Sequence, residues 1–337
     1  MKCKKILTAL LAAACTMSGC HGDLDIMQDN KLSASNMWID ESDAETATYG
    51  IYLYMRDALK SVHDIYLCWG EFRNGLWGAG TNKTLSGVDQ TQVRTSTMSS
   101  SNAYADWSVM YKTVNQANLI LKHVPEMGIS ESVRNFSLGN AYFSRAWCYF
   151  WIARIWGDAP LALTGYESTG GDLYLPRAPK AEIFARIESD LTEAERYVTD
   201  NSDKAVATPA AVQMLKADYA LWMYRVAGGG SSYLTMAEKA IEALNLSASR
   251  LESDYAQVFS SANKLNKEVI FAVHQANGEA VNGPGYYLGW NSNYVEAAYQ
   301  NNPVPITGGN QWWWYTDRYK ALLTSVEGDT RTKLTYN

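Results

Sequence analysis

The sequence predicts a mostly α-helical protein built from helix pairs, with long aromatic loops and a little β structure. Three observations carry that expectation. Apolar residues recur at steps of three and four through most of the chain before residue 250, the spacing that gives a helix one buried face. Helix-starting and helix-stopping residues punctuate those stripes and leave short connections between them. Beyond residue 250 the helical period gives way to Gly, Asn, Tyr and Trp, a composition that suits exposed functional loops.

The elements follow in chain order. Ser42-Asp43-Ala44-Glu45 has capping-box spacing, and Ala44, Thr48, Ile51, Met55, Leu59 and Val62 then form one stripe. Trp107, Met110, Tyr111, Val114 and Leu121 form a second, entered from the Ser/Asn cluster at 99–102 and closed before Pro125. Over 134–156, Phe136, Phe143, Trp147, Phe150 and Trp151 share one side, while Ala141, Cys148, Ile152 and Ile155 occupy another. A helix apolar on most sides belongs at the centre. Ile183, Ile187, Leu191, Ala194 and Val198 mark a fourth helix. Thr208 and Pro209 supply the N-cap and first-turn proline of a fifth, which carries Val212, Leu215, Tyr219, Met223 and Val226 and stops at Gly228-Gly229-Gly230. Thr235-Met236-Ala237-Glu238 opens a sixth through Leu244. Val269 to Val273 reads as a short strand, a long aromatic loop follows, and Asp317 to Ser325 forms a last helical piece. The helix pairs resemble tetratricopeptide-like repeats, which pack antiparallel, although no strict repeat signature is present.

The first residues predict the compartment. Lys2, Lys4 and Lys5 precede a short apolar run from Ile6 to Cys15, and Met17-Ser18-Gly19-Cys20 closes it with small residues. That is a secretory signal over 1–19, too short to remain as a spanning helix, with the lipobox pattern of bacterial lipoproteins. Cys20 is the expected lipidation site. Cys15 also follows two alanines, but only Cys20 is followed directly by polar sequence. An ordinary secreted protein with Cys20 as a free thiol is the alternative. Lys and Arg total 29 against 35 Asp and Glu, and no basic block occurs after residue 5, which argues against nucleic acid as a partner.

The unusual quantity is aromatic. The 12 Trp and 22 Tyr exceed what an ordinary core of this size requires, so part of them is expected to meet a ligand. Sugars offer hydroxyls to polar side chains and C–H faces to rings, and two stretches have the composition of such a platform. The first holds Trp69, Glu71, Arg73, Asn74 and Trp77 in an expected loop after the first helix. The second runs from Tyr286 to Tyr315 and includes Tyr286, Trp290, Asn293, Tyr294, Trp312 and Trp314. In an extended segment Trp312 and Trp314 alternate with Trp313, so one parity is expected to touch ligand. Trp107, Trp147, Trp151 and Trp222 lie on helical stripes and are expected to pack. Arg145, inside the most apolar helix, is expected to make an architectural ion pair with a carboxylate such as Asp158. The sequence offers no metal or cofactor motif: His21, His63, His123 and His274 have no ligand spacing, there is no CxxC, and the triple glycine lacks a phosphate-loop lysine. Thr199 to Lys204 lacks full calcium-loop spacing and reads as a solvated turn. A helical glycoside hydrolase, which needs two acids flanking one bond, is the enzymatic alternative to a non-enzymatic binding module.

One segment carries a family resemblance. Ala141 to Leu161, with Arg145, Ala146, Gly157, Asp158, Pro160 and Leu161, resembles the hallmark of the SusD/RagB family of outer-membrane nutrient-binding lipoproteins. Asn115-Gln116-Ala117-Asn118, Leu175-Pro176-Arg177 with Ser189-Asp190-Leu191, Lys267 to Phe271 and the Asp329-Thr330-Arg331 element resemble further family segments in the same order. Ala178 departs from the Ser or Thr that usually caps the helix there, at an expected cost of about 1 kcal/mol. The resemblance implies a SusD-like helical domain over 20–250 and, over 251–337, the start of a truncated C-terminal region. It further implies a lipid-anchored, surface-exposed protein of the cell outer membrane that captures oligosaccharide and delivers it to a SusC-like TonB-dependent transporter. Peptide cargo on the same RagB-like scaffold is the alternative.

Overall fold

The computed structural model describes residues 37–79, 88–171, 173–276, 313–329 and 331. Every element below lies within Asp40–Asn337. The helices are α1 (Glu41–Gly70), α2 (Val88–Thr95), α3 (Ser108–His123), α4 (Glu131–Trp156), α5 (Lys180–Tyr197), α6 (Pro209–Arg225), α7 (Ser232–Ala243), α8 (Tyr255–Val258) and α9 (Asp317–Leu323). Two small antiparallel ribbons accompany them: β1 (Trp77–Ala79) with β4 (Trp313–Tyr315), and β2 (Ala159–Pro160) with β3 (Arg177–Ala178). The mostly helical architecture expected from the periodicity is the one observed.

The helix α4 is central, as its all-round apolar pattern requires. Phe143, Ala146, Cys148, Tyr149, Phe150 and Ile152 are buried, and α4 packs on α1, α3 and α5. Contacts fix the directions. Tyr111 meets Tyr149 and Asn118 meets Arg145, so α3 runs antiparallel to α4. Arg145 meets Asp190 while Gly139 meets Val198, so α5 is antiparallel to α4 as well. Ser137 bonds the Ala44 carbonyl near the start of α1 and Trp151 touches Trp69 near its end, which makes α1 parallel to α4. A Cβ at Gly139 would lie 2.7 Å from Val198 Cγ2 and 3.0 Å from its amide nitrogen, so only glycine allows this approach of α5 to α4. Gly157 ends α4 at φ 72°, a value that disfavours side-chain-bearing residues.

Several local expectations are corrected. The capping box of α1 is Asp40 with Asp43, not Ser42 with Glu45. The Asp43 amide donates to Asp40 Oδ1 at 3.1 Å and the Asp40 amide to Asp43 Oδ2 at 3.3 Å, so the helix starts one residue ahead of Ser42. The helix α2 and a short turn at Ala103–Ala105, capped by Asn102, stand where a direct entry to α3 was expected. The helix α7 begins at Ser232, so Thr235 lies inside it and caps nothing. Thr208, by contrast, caps α6 as expected, accepting from the Ala211 amide. Val269 to Val273 forms no strand. Its segment is held by the Ala272 amide donating to the Lys204 carbonyl and by Phe271, whose ring packs on Tyr52 and Phe143. The Val269 amide also donates to the Asn266 carbonyl, and these bonds with one inward ring secure the segment without a ladder partner.

Arg145 is a second kind of correction. Its fork donates to both oxygens of Asp190, at 2.8 and 2.7 Å, and its remaining nitrogen to Asn118 Oδ1 at 2.7 Å. Asp158, the partner anticipated from sequence, instead accepts from the Lys180 amide at 2.8 Å. It thereby supplies the acceptor that Ala178 and Pro179 cannot give the N-terminus of α5. The Asn-x-Ala-Asn, Arg-Ala and Ser-Asp-Leu motifs thus meet in one hub where Arg145 is 5% exposed and Asp190 is fully buried.

Candidate functional site

The first aromatic stretch begins on a helix, not in a loop. The helix α1 continues through Gly70, which places Trp69 on its last turn. Trp69 is half-buried: its indole N–H donates to the Tyr104 carbonyl at 2.9 Å, and its ring meets Trp156 edge-on at 5.2 Å and Trp151 at 6.0 Å. With its indole nitrogen committed, Trp69 supports the surface from beneath. Just before α1 reaches this region, Val62 adopts φ 44°, a strained value for a β-branched residue.

The turn after Gly70 carries the polar candidates. Glu71, Arg73 and Asn74 are all exposed. Asn74 donates to Glu71 Oε2 at 2.9 Å and accepts from the Leu76 amide at 2.8 Å, while Arg73 reaches Ser96 Oγ at 3.4 Å. Gly75, at φ 79°, lets the chain reverse into β1. Phe72 points inward beneath this turn, fully buried beside Cys68 and Tyr104.

The ribbon β1–β4 then joins the two aromatic stretches. Trp77 stands opposite Tyr315, Gly78 opposite Trp314 and Ala79 opposite Trp313. The Trp77 and Tyr315 rings lie 4.6 Å apart, and Phe72 meets Trp77 edge-on at 5.8 Å from the core side. The pairing is locked by Thr316, whose amide donates to the Leu76 carbonyl at 2.9 Å and whose hydroxyl caps α9. Burial, reinforced by neighbouring Tyr319, raises the Tyr315 phenol above its ordinary value, so that ring stays neutral. A neutral, partly exposed ring pair beside a carboxylate, a guanidinium and an amide has the chemistry to stack on a C–H face and hydrogen-bond its hydroxyls.

Of the residues singled out from sequence, Glu71, Arg73, Asn74 and Trp77 surround this ribbon, and Trp314 lies in its backbone ladder. Cys20, Tyr286, Trp290, Asn293, Tyr294 and Trp312 lie outside the described residues. Tyr315, the ring partner of Trp77, was not singled out; it sits two positions from Trp313, and that strand spacing was the available signal. Phe72 and Trp156, which brace Trp77 and Trp69, carry no sequence signal separating them from ordinary core rings.

A cavity of about 330 Å³ opens between α3 and the loop after β2, walled by Trp107, Tyr111, Pro160 and Leu175. Its amides are committed. Asn115 exchanges two hydrogen bonds with the Tyr166 backbone, and Asn118 holds the Ala162 and Thr164 carbonyls. Among the described residues no group of three or more His, Cys, Asp or Glu could hold a metal, and no helix is long and apolar enough to cross a membrane. Asp200 accepts from Ser202 and Asp203 from the Ala205 amide, as a solvated turn would have it. In the Asp-x-Arg element the Arg331 fork holds the Asp329 carboxyl down at about 2.

Antiparallel helix pairs locked by a buried Asn–Arg–Asp hub, with an aromatic ribbon at the end of the first helix, form a scaffold shared with a class of known proteins. The comparisons identify that class. A SusD-like family described as starch-binding and associating with the outer membrane matches residues 79–222. A SusD-like protein of Formosa agariphila is 26% identical over 190 residues, 56% of this chain and 36% of its own length. Two solved Bacteroides fragilis structures are each 26% identical. One, a SusD superfamily protein, aligns with a TM-score of 0.71 over 88% of this chain and 63% of its own. The other, NanU, aligns with a TM-score of 0.73 over 90% and 64%. The chain is similar to SusD superfamily proteins in sequence over 79–222 and in fold over most of its length, and it spans less than two thirds of each of these relatives.

Proposed function

We propose that this protein is a cell-surface lipoprotein that binds oligosaccharide at the β1–β4 ribbon without cleaving it and hands it to a SusC-like TonB-dependent transporter. The observation that carries the reading is the pairing of Trp77 with Tyr315, which unites two aromatic stretches distant in sequence beside Glu71, Arg73 and Asn74. The starch-binding description of the matching family points to the same ligand class.

A shallow surface that stacks on few rings binds weakly, in the micromolar to millimolar range, about −8 to −4 kcal/mol. Calorimetric titration with maltoheptaose and with a panel of other neutral oligosaccharides tests this. Trp77→Ala is expected to weaken binding by at least about fivefold, from loss of roughly 1 kcal/mol of stacking, while leaving the far-ultraviolet spectrum unchanged. Trp290→Ala, chosen from the sequence, is expected to act in the same direction. Unaltered affinity in both variants places the ligand elsewhere, and shortened sugars after prolonged incubation support the hydrolase instead. For the anchor, mass spectrometry of the mature N-terminus is expected to find an acylated Cys20; an unmodified cysteine there rejects lipidation.

A further inference from the structure

We infer that a second cavity, away from the aromatic ribbon, binds a small organic carboxylate with a short apolar body. The cavity, about 410 Å³, opens between the start of α6, the end of α7 and the segment around Val269. That volume falls within the range of small-molecule sites. Its charged lining residues are Lys204 and Arg250, and no acid lines it, although acids outnumber bases in the chain as a whole.

The two cations differ in what holds them. Lys204 donates one proton to the Asn266 carbonyl at 2.7 Å, which fixes its ammonium near the cavity and leaves further donors. Arg250 is half-buried, and no carboxylate among the described residues lies within 4 Å of its guanidinium. A partly desolvated guanidinium with an unused fork is suited to bidentate capture of a carboxylate. The acid bonded to the lining residue Gln213 is already engaged. Glu195 accepts from Lys216 at 2.7 Å and from the Gln213 side chain at 2.7 Å, which turns the Gln213 carbonyl into the free end of that amide. The N-terminal turn of α6 borders the same space and adds positive potential, but the two cations carry the inference.

The apolar part of the lining selects the body of the ligand. Leu244, Val269 and Ile270 line it together with Pro209 and two alanines. Such a surface offers a sugar ring few hydroxyl partners but accepts a branched aliphatic stem, so a carboxylate head with a few carbons behind it matches the cations and the apolar lining together. An inorganic anion would use the cations and leave the apolar wall wet.

The test is saturation-transfer NMR on the full chain with 4-methylpentanoate, its neutral amide and inorganic phosphate. The carboxylate is expected to bind with a dissociation constant in the millimolar range or below, and the amide and phosphate about tenfold more weakly or not at all. Arg250→Gln should weaken the carboxylate at least about fivefold, with Arg250→Lys intermediate, because lysine keeps the charge and loses the fork. Lys239→Gln, on the exposed face of α7, and Trp77→Ala should leave it unchanged, the latter separating this site from the sugar reading. Absence of carboxylate binding at about 20 mM, equal binding of the amide, phosphate binding as tight as the carboxylate's, or full affinity in Arg250→Gln each overturns the assignment.

Discussion

Replacing Arg145 with methionine is expected to lower the free energy of unfolding by about 3–5 kcal/mol, the cost of stranding a buried charge. Asp190 is fully buried and takes both of its strong hydrogen bonds from Arg145, and Asn118 Oδ1 loses its donor at the same time. Arg186 Nη1 stands 3.6 Å from Asp190 and offers partial compensation, which favours the lower half of that range. The decisive comparison is the double variant Arg145→Met, Asp190→Leu. Exchanging a whole buried pair for apolar side chains is commonly near neutral, so the double variant should regain most of the loss. Urea unfolding followed by circular dichroism measures all three proteins. A single-variant loss under about 1 kcal/mol would mean that the hub contributes little to holding α3, α4 and α5 together.

Phe150→Ala carries the next largest expected loss, about 3–5 kcal/mol, the usual cost of truncating a buried aromatic ring. Phe150 is fully buried between Tyr219 at 5.5 Å and Trp222 at 6.3 Å, with the Arg154 guanidinium 3.9 Å from its ring centre. No neighbour on α6 can fill the space without moving the helix, because Tyr219 is itself held by Glu188 on α5. Trp147 provides the contrast. Its position on the apolar stripe of α4 suggests a fully buried ring; it packs against the core but keeps part of its surface exposed, and it touches Trp151 at 5.8 Å. Trp147→Ala should therefore cost less than Phe150→Ala, about 2–3 kcal/mol, since part of its surface is already in water. Equal losses in the two variants would contradict the core assignment.

The same pair shows how far the helical period can be read. The spacing of Phe143, Trp147, Phe150 and Trp151 correctly marks α4 as apolar on several sides, and α4 is central. It does not say which side is covered by a complete neighbour. Phe150 faces α6, whereas Trp147 belongs to a band of partly exposed rings that continues through Trp151, Trp69 and Trp156 to Trp107. The polar candidates after α1 were legible for a different reason. Glu71, Arg73 and Asn74 sit in a turn whose glycine and charge content force exposure. Trp69, only two residues before Glu71, is drawn into packing because the helix persists beyond Val62, the last residue of its apolar stripe, through Gly70.

What the sequence alone determined is local: the positions of most of the long helices, the Thr208 cap, and the motif segments that carry the family likeness. These depend on periodicity and on backbone preferences within a few residues. Tertiary structure decided the partners. Arg145 chose Asp190 over Asp158 because antiparallel packing sets α5 beside α4 at that height, while Asp158, held past Gly157, faces the uncapped start of α5. Thr316 reached Leu76 across 240 positions of chain, and with it Tyr315 reached Trp77. No local pattern encodes such a meeting, because the stretches that form the ribbon are too short to specify a partner strand by themselves and become neighbours only once the helices between them have packed.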